Sequence, residues 1–231
     1  MSLILCIETS TTVCSVAIAK ESNCIAFNRS DTGNAHSVVL TPLIEKTLKE
    51  ASIDPSMLSA VAVSDGPGSY TGLRIGVSVT KGLCYSLNIP AITISSLKII
   101  AANALNKIDP KDKDALICPL MDARRMEVYS ALYSINLKEV KKIKAEIIDE
   151  KSYSHTNNKI YFAGNGVDKC REVIQSRDVF FLTGIDPLAS SMCRLATEKY
   201  DNKQFADVAY FEPFYLKNFI ATHSKKSILK T

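Results

Sequence analysis

Glu8 closes an apolar run that begins at Leu3, and four hydroxyl residues, Thr9, Ser10, Thr11 and Thr12, separate it from the next run at Val13. A carboxylate at a strand end beside a hydroxyl-lined turn is one way to grip a phosphate. Glu8, Ser10, Thr11 and Thr12 are the residues that would hold ATP or ADP. Ser10 stands where such a turn wants a flexible glycine, so weak binding is the most this set allows, and it requires no cofactor. Serine and threonine also build ordinary hairpin turns by bonding to nearby backbone, and a plain hairpin accounts for the same residues.

The segment SDGPGSYTGLRIG, Ser64–Gly76, offers a second chemistry. Five of the nine glycines lie between Gly66 and Gly82. A glycine-rich turn leading into a helix presents free N–H groups and the positive helix end, which can hold an anion. The same glycines also permit close packing. The loop has neither the Lys-Ser/Thr ending of a P-loop nor the G-x-G-x-x-G register, and packing is the preferred reading. Asp122 is a further strand-end acid, and Gly164-Asn165-Gly166 is too short for a long nucleotide loop. A metal held on a helix face needs two ligands one turn apart. His36 is followed at that spacing by Leu40, so His36 reads as a polar residue at a helix start and no metal site is expected. A peptidase reading finds no HExxH motif and no Ser, His and Asp that sequence places together.

The elements that must position these residues follow from periodicity. Leu3–Glu8, Val13–Ala19 and Cys24–Arg29 read as a three-stranded antiparallel meander. His36–Ala51 repeats apolar residues at helical spacing, with Pro42 either opening the helix behind a Thr41 cap or kinking a longer one. A strand at Ala60–Ser64, a helix at Thr71–Leu87, a strand at Ala91–Ile94 and a helix at Ser96–Leu105 complete a first unit. The polar stretch Asn106–Asp114 reads as a linker, dividing residues 1–107 from 108–231. Beyond it come strands at Ala115–Leu120, Met126–Ile135, Val140–Ile148 and Ile160–Ala163. A helix at Val167–Gln175, a strand at Val179–Leu182 and a helix at Leu188–Tyr200 follow. The doubled βββαβα order predicts an α/β protein of the actin, hexokinase and Hsp70 class.

With 231 residues the chain can bury two small cores. Lys plus Arg number 28 and Asp plus Glu 24, a net charge of +4 that is too small to imply nucleic-acid binding by itself. The runs Lys141–Lys144 and Lys225–Lys230 read as solvated faces. No stretch reaches the roughly 18 apolar residues that would suggest a membrane span, and Leu3–Ile7 is too short for a signal-peptide core. Seven cysteines without a CxxC argue against a disulfide framework or zinc site, and for small core residues in a reducing cytoplasm.

Several segments together resemble the bacterial TsaB (YeaZ) family. They are LCIETSTTVCSVAI (Leu5–Ile18), HSVVLTPLIEKTL (His36–Leu48), VSDGPGSYTGLRIGVSVTKGL (Val63–Leu83), MDARRMEVYSALY (Met121–Tyr133) and FEPFYLKNF (Phe211–Phe219). The resemblance implies an actin-like (ASKHA) α/β fold of two RNase-H-like βββαβα lobes and a non-catalytic role in making threonylcarbamoyladenosine in tRNA. It implies a homodimer when alone, a heterodimer with the catalytic paralogue TsaD, the ATPase TsaE joining through the complex, and tRNA met only there. An autonomous ATPase or small-molecule kinase using Glu8, Thr11, Thr12 and Asp122 is the rival.

The interface expectation rests on two helices. Gly72, Gly76 and Thr80 form a narrow stripe, flanked by Leu73 and Val77, while His36, Val39, Leu40 and Leu43 lie on the first helix. Glycine costs a helix interior about 1 kcal/mol relative to alanine, so the stripe needs a compensating contact. Either a partner's helix approaches there, as the family resemblance favours, or the second helix lies tight on its own sheet.

Overall fold

The computed structural model describes residues 2–33, 35–153, 156, 158–174 and 178–216. His155, His223 and the Lys225–Lys230 run lie outside them. β1 (Leu3–Glu8), β2 (Cys14–Lys20) and β3 (Asn23–Ser30) form the expected meander. α1 (His36–Ala51) leads to β4 (Ala60–Gly66), and α2 (Tyr70–Leu87) leads to β5 (Ala91–Ser95). β4 lies parallel to β1 and β5 parallel to β4, giving the order β3-β2-β1-β4-β5. α3 (Ser96–Ala104) ends this half.

The second half repeats the scheme. β6 (Leu116–Asp122), β7 (Glu127–Ser134) and β8 (Glu139–Ile147) precede β9 (Ile160–Ala163), α4 (Val167–Arg171), β10 (Val179–Leu182) and α5 (Ala189–Asp201). Its sheet order, β8-β7-β6-β9-β10, is the first order again. This duplicated arrangement, with three antiparallel strands and two parallel additions on each side, is the actin-like α/β fold. One difference stands out. Among the described residues no helix joins β8 to β9, where α1 stands in the first half.

The burial of each strand explains its sequence. β1 and β4 are covered on both faces and read as unbroken apolar runs, whereas edge strands β3 and β8 are largely open to solvent. Lys141, Lys142 and Lys144 on β8 discourage pairing with another sheet. One face of the first sheet packs on α1 and α2 through Leu5, Ile7, Val16, Leu40, Ile44 and Val77. The opposite face shares one core with α3, α5 and the second sheet, through Ile4, Cys6, Leu97, Ile117, Tyr133 and Met192. α3 packs against β6, and α5 crosses back onto β1 and β2. The chain then continues along the first sheet, where Ala206 pairs with Ala91 and the Phe214 N–H donates to the Asp65 carbonyl over 2.6 Å.

Pro42 lies inside α1, which begins at His36 after Ala35, so Thr41 caps nothing. The helix tolerates the missing N–H because its C-terminal half is anchored by buried Ile44, Thr47 and Leu48.

Candidate functional site

β1 carries Glu8 fully into the interior, where its Oε1 accepts the Ser10 N–H over 2.6 Å. Thr11 Oγ1 accepts the Val13 N–H over 3.2 Å, and Thr12 points to solvent. Oε2 of Glu8 and the hydroxyls of Thr9, Ser10 and Ser64 are buried without a hydrogen-bond partner. Burial pushes the Glu8 carboxyl up to about 7, against the pull of the Ser10 N–H and with a smaller push from Asp65. The turn therefore brings together all the residues expected of it, but it is not open.

What closes it is the glycine-rich segment. The Ser69 N–H donates to the Ser10 carbonyl over 2.7 Å, and Ser69 Oγ caps α2 by accepting the Gly72 N–H over 3.3 Å. A Cβ at Gly68 would fall on the Ser10 carbonyl, one at Gly72 on the Thr9 carbonyl, and one at Gly76 on Thr9 Oγ1. The two turns that sequence singled out as anion grips are thus packed against each other. This corrects the partner-facing reading of the stripe: Gly72, Gly76 and Thr80 are buried, with both glycines turned onto the first hairpin. Leu40, Leu73 and Val77 are buried too, because α1 and α2 need one full apolar stripe each to cover their sheet. His36 is buried at the start of α1 with Nε2 unpaired. Val39 and Leu43 are half-buried at the edge of that core.

The solvent side of the helix pair is different. Val38 is 73% exposed and Tyr85 86% exposed, with half-buried Ile75, Val79 and Leu83 between polar neighbours. Beside α2 runs a groove of about 360 Å³, whose far wall is the strap containing Phe211 and Tyr215. Arg74 Nε donates to Tyr215 Oη over 3.2 Å, and Lys81 Nζ donates to the Ala209 carbonyl over 3.0 Å.

In the second half Asp122 is occupied from within. The carboxylate pairs with Lys169 of α4 and accepts the Arg124 N–H over 2.6 Å. Lys169 Nζ also donates to the Arg125 carbonyl over 2.5 Å. Asn165 Oδ1 accepts the Asp122 N–H over 2.9 Å. Gly164 takes φ +108° with no room for a Cβ beside the Leu120 carbonyl, so Gly164-Asn165-Gly166 works as a tie between β9 and β6. The cavity next to it holds about 120 Å³, and its charged lining is Asp168 and Asp186. That is smaller than the roughly 300 Å³ of ordinary ligand sites, and its acids repel phosphate. Among the described residues no group of three or more His, Cys, Asp and Glu could hold a metal. Lys169 is the residue that sequence reasoning missed. Nothing local links it to Asp122, 47 positions away.

Fold and site together define an actin-like protein whose phosphate turns are packed shut. A family model described as TsaD, tRNA N6-adenosine threonylcarbamoyltransferase, matches residues 30–224. The tRNA threonylcarbamoyladenosine biosynthesis protein TsaB of Bacillus subtilis (strain 168) is 41% identical over 130 residues, 56% of this chain. That match spans 54% of the relative, so the chain covers about half the length of that curated protein. The protein of the same description from Haemophilus influenzae is 29% identical over 93% of both chains. The solved structure of YeaZ from Pseudomonas aeruginosa superposes with a TM-score of 0.83 at 26% identity, covering 94% of this chain and 100% of that one. The chain belongs to the TsaB (YeaZ) branch of the TsaD family.

Proposed function

We propose that this chain is a non-catalytic partner subunit in the synthesis of N6-threonylcarbamoyladenosine in tRNA. It supports a catalytic TsaD subunit through the solvent side of α1 and α2, and pairs with a second copy through the same surface when alone. TsaE joins through the complex, and tRNA is met only there. The observation that carries the non-catalytic part is that both candidate acids are already engaged within the chain. Glu8 and its turn lie under the glycine-rich segment, and Asp122 is paired with Lys169. A phosphoryl-transfer enzyme needs acids free to hold a metal–phosphate pair.

The surface supports the partner role. Val38 and Tyr85 are large, apolar or aromatic, and open to solvent on two helices that pack against each other, with half-buried Ile75, Val79 and Leu83 beside them. A net charge of +4 without a basic stripe predicts weak, salt-sensitive tRNA binding by the lone chain. The test is steady-state ATP hydrolysis by the purified protein beside Glu8→Ala. Equal, background-level rates are expected. Turnover that vanishes with Glu8→Ala would establish the autonomous ATPase instead.

A further inference from the structure

Three cysteines converge where α5 crosses the first sheet. β1 places Cys6 opposite Ala17 on β2, and the β2–β3 pairing places Cys24 opposite Ala19. Cys6, Ala17 and Ala19 belong to the core face covered by α5. The alanines have so little side chain that the helix lies close, and α5 brings Cys193 to that face. One helical turn further on, Thr197 Oγ1 accepts the Ser22 N–H over 3.1 Å, which fixes the β2–β3 turn against α5 two residues before Cys24. Cys24 Sγ donates to the Ala26 carbonyl over 3.4 Å and Cys193 Sγ to the Ala189 carbonyl over 3.8 Å, with the two thiols near enough that each shifts the other and Cys6 also raising Cys193. Of the three, Cys24 is exposed, on an edge strand, while Cys6 and Cys193 are buried.

We propose that Cys24 and Cys193 are a thiol pair that low-molecular-weight disulfides oxidise to an intramolecular disulfide, joining the edge of the first sheet to the last helix. The Cys24 thiolate attacks one sulfur of R–S–S–R, forming a mixed disulfide and releasing one RS⁻, which takes up a proton. Cys193 then attacks the Cys24 sulfur, and the second RS⁻ leaves and is protonated. Two protein thiols lose two electrons, and one R–S–S–R becomes two RSH. Cys6 is the wrong partner for the first step because no reagent reaches it. The neighbouring Cys193 thiol and burial raise the Cys24 thiol, so the thiolate is scarce near neutrality and the reaction quickens as pH rises.

The test incubates the full chain with oxidised glutathione, blocks free thiols by alkylation, and maps unreduced peptides by mass spectrometry. A linked Cys24–Cys193 peptide should accumulate and disappear with dithiothreitol. Its initial rate should rise about tenfold per pH unit between roughly pH 7 and 9, as thiolate chemistry requires. Cys24→Ser, a change at an exposed position, should abolish the link and leave Cys193 reduced. This variant decides the matter even if Cys193→Ser fails to fold. Cys24 that stops at its glutathione adduct, or Cys193 that is still consumed in Cys24→Ser, overturns the proposal.

Discussion

Glu8 is held at the end of β1 with one oxygen bonded and the other without a partner, and that position sets how the protein responds to pH. In the unfolded chain it ionises near the ordinary glutamate value of about 4.3, whereas burial holds it up to about 7 in the fold. Between those values the folded state binds more protons than the unfolded one, so stability falls as pH rises. The contribution is whole below the unfolded value and gone once pH passes about 7. The size is about 3–4 kcal/mol by the usual conversion of a pKa shift. Glu8→Gln keeps an acceptor for Ser10 and removes the titration. Urea unfolding from pH 5 to 8 should therefore give a difference between wild type and variant that changes with pH, wild type losing ground as pH rises. Parallel curves would mean that Glu8 is ionised in the fold at neutral pH. Both strand-end acids are legible in the sequence, because each follows an apolar run. What fills the second is not, since the Asp122–Lys169 pair depends on how α4 settles beside the β6–β7 turn.

The glycines of α2 separate packing from propensity within one helix. At Gly72 a Cβ would collide with the Thr9 carbonyl, which is backbone and cannot move aside. At Gly82, on the exposed side, a Cβ meets nothing. Gly72→Ala should therefore destabilise by about 2 kcal/mol or more, as forced overpacking does. Gly82→Ala should stabilise by about 0.5–1 kcal/mol, because alanine is the better helix former. Thermal melts of the two variants check both signs. A stable Gly72→Ala protein would show that α2 does not lie on the first hairpin. Element order and spans are well written in periodicity, and most helices and strands begin within a residue or two of expectation. The direction of the glycine stripe is not. Spacing of three and four marks a face, and only the neighbour decides whether that face is inside or out. The sequence itself offers no helix between Val140–Ile148 and Ile160–Ala163, and among the described residues none joins β8 to β9. Sheet order repeats while the covering of the second sheet's outer face is local to its own residues, among them Tyr153, which packs on Cys118 and Phe162.

At the scale of the whole molecule the two sheets are one body, because α3 and α5 sit in a core common to both. One face of the first sheet is thereby committed to the interior, and α1 and α2 are left on the outside. Their inner residues hold the fold and their outer ones are available to a partner. Val77 is 5% exposed among core residues, so Val77→Glu should unfold the protein, as a charge placed in an apolar core does. Val38, 73% exposed, should accept the same change without loss of melting temperature.

The most direct test of a partner subunit is size-exclusion chromatography with light scattering. The wild type and a Val38→Glu, Val79→Glu double variant would each be run alone and mixed with TsaD from the same organism, beside circular-dichroism melts. The wild type should run as a dimer alone and as a heterodimer in the mixture. The double variant should stay folded and lose both assemblies, since a charge at the centre of an apolar contact costs about 2 kcal/mol or more, roughly thirtyfold in affinity. A folded double variant that still binds TsaD, or a wild-type chain that never does, would contradict the account.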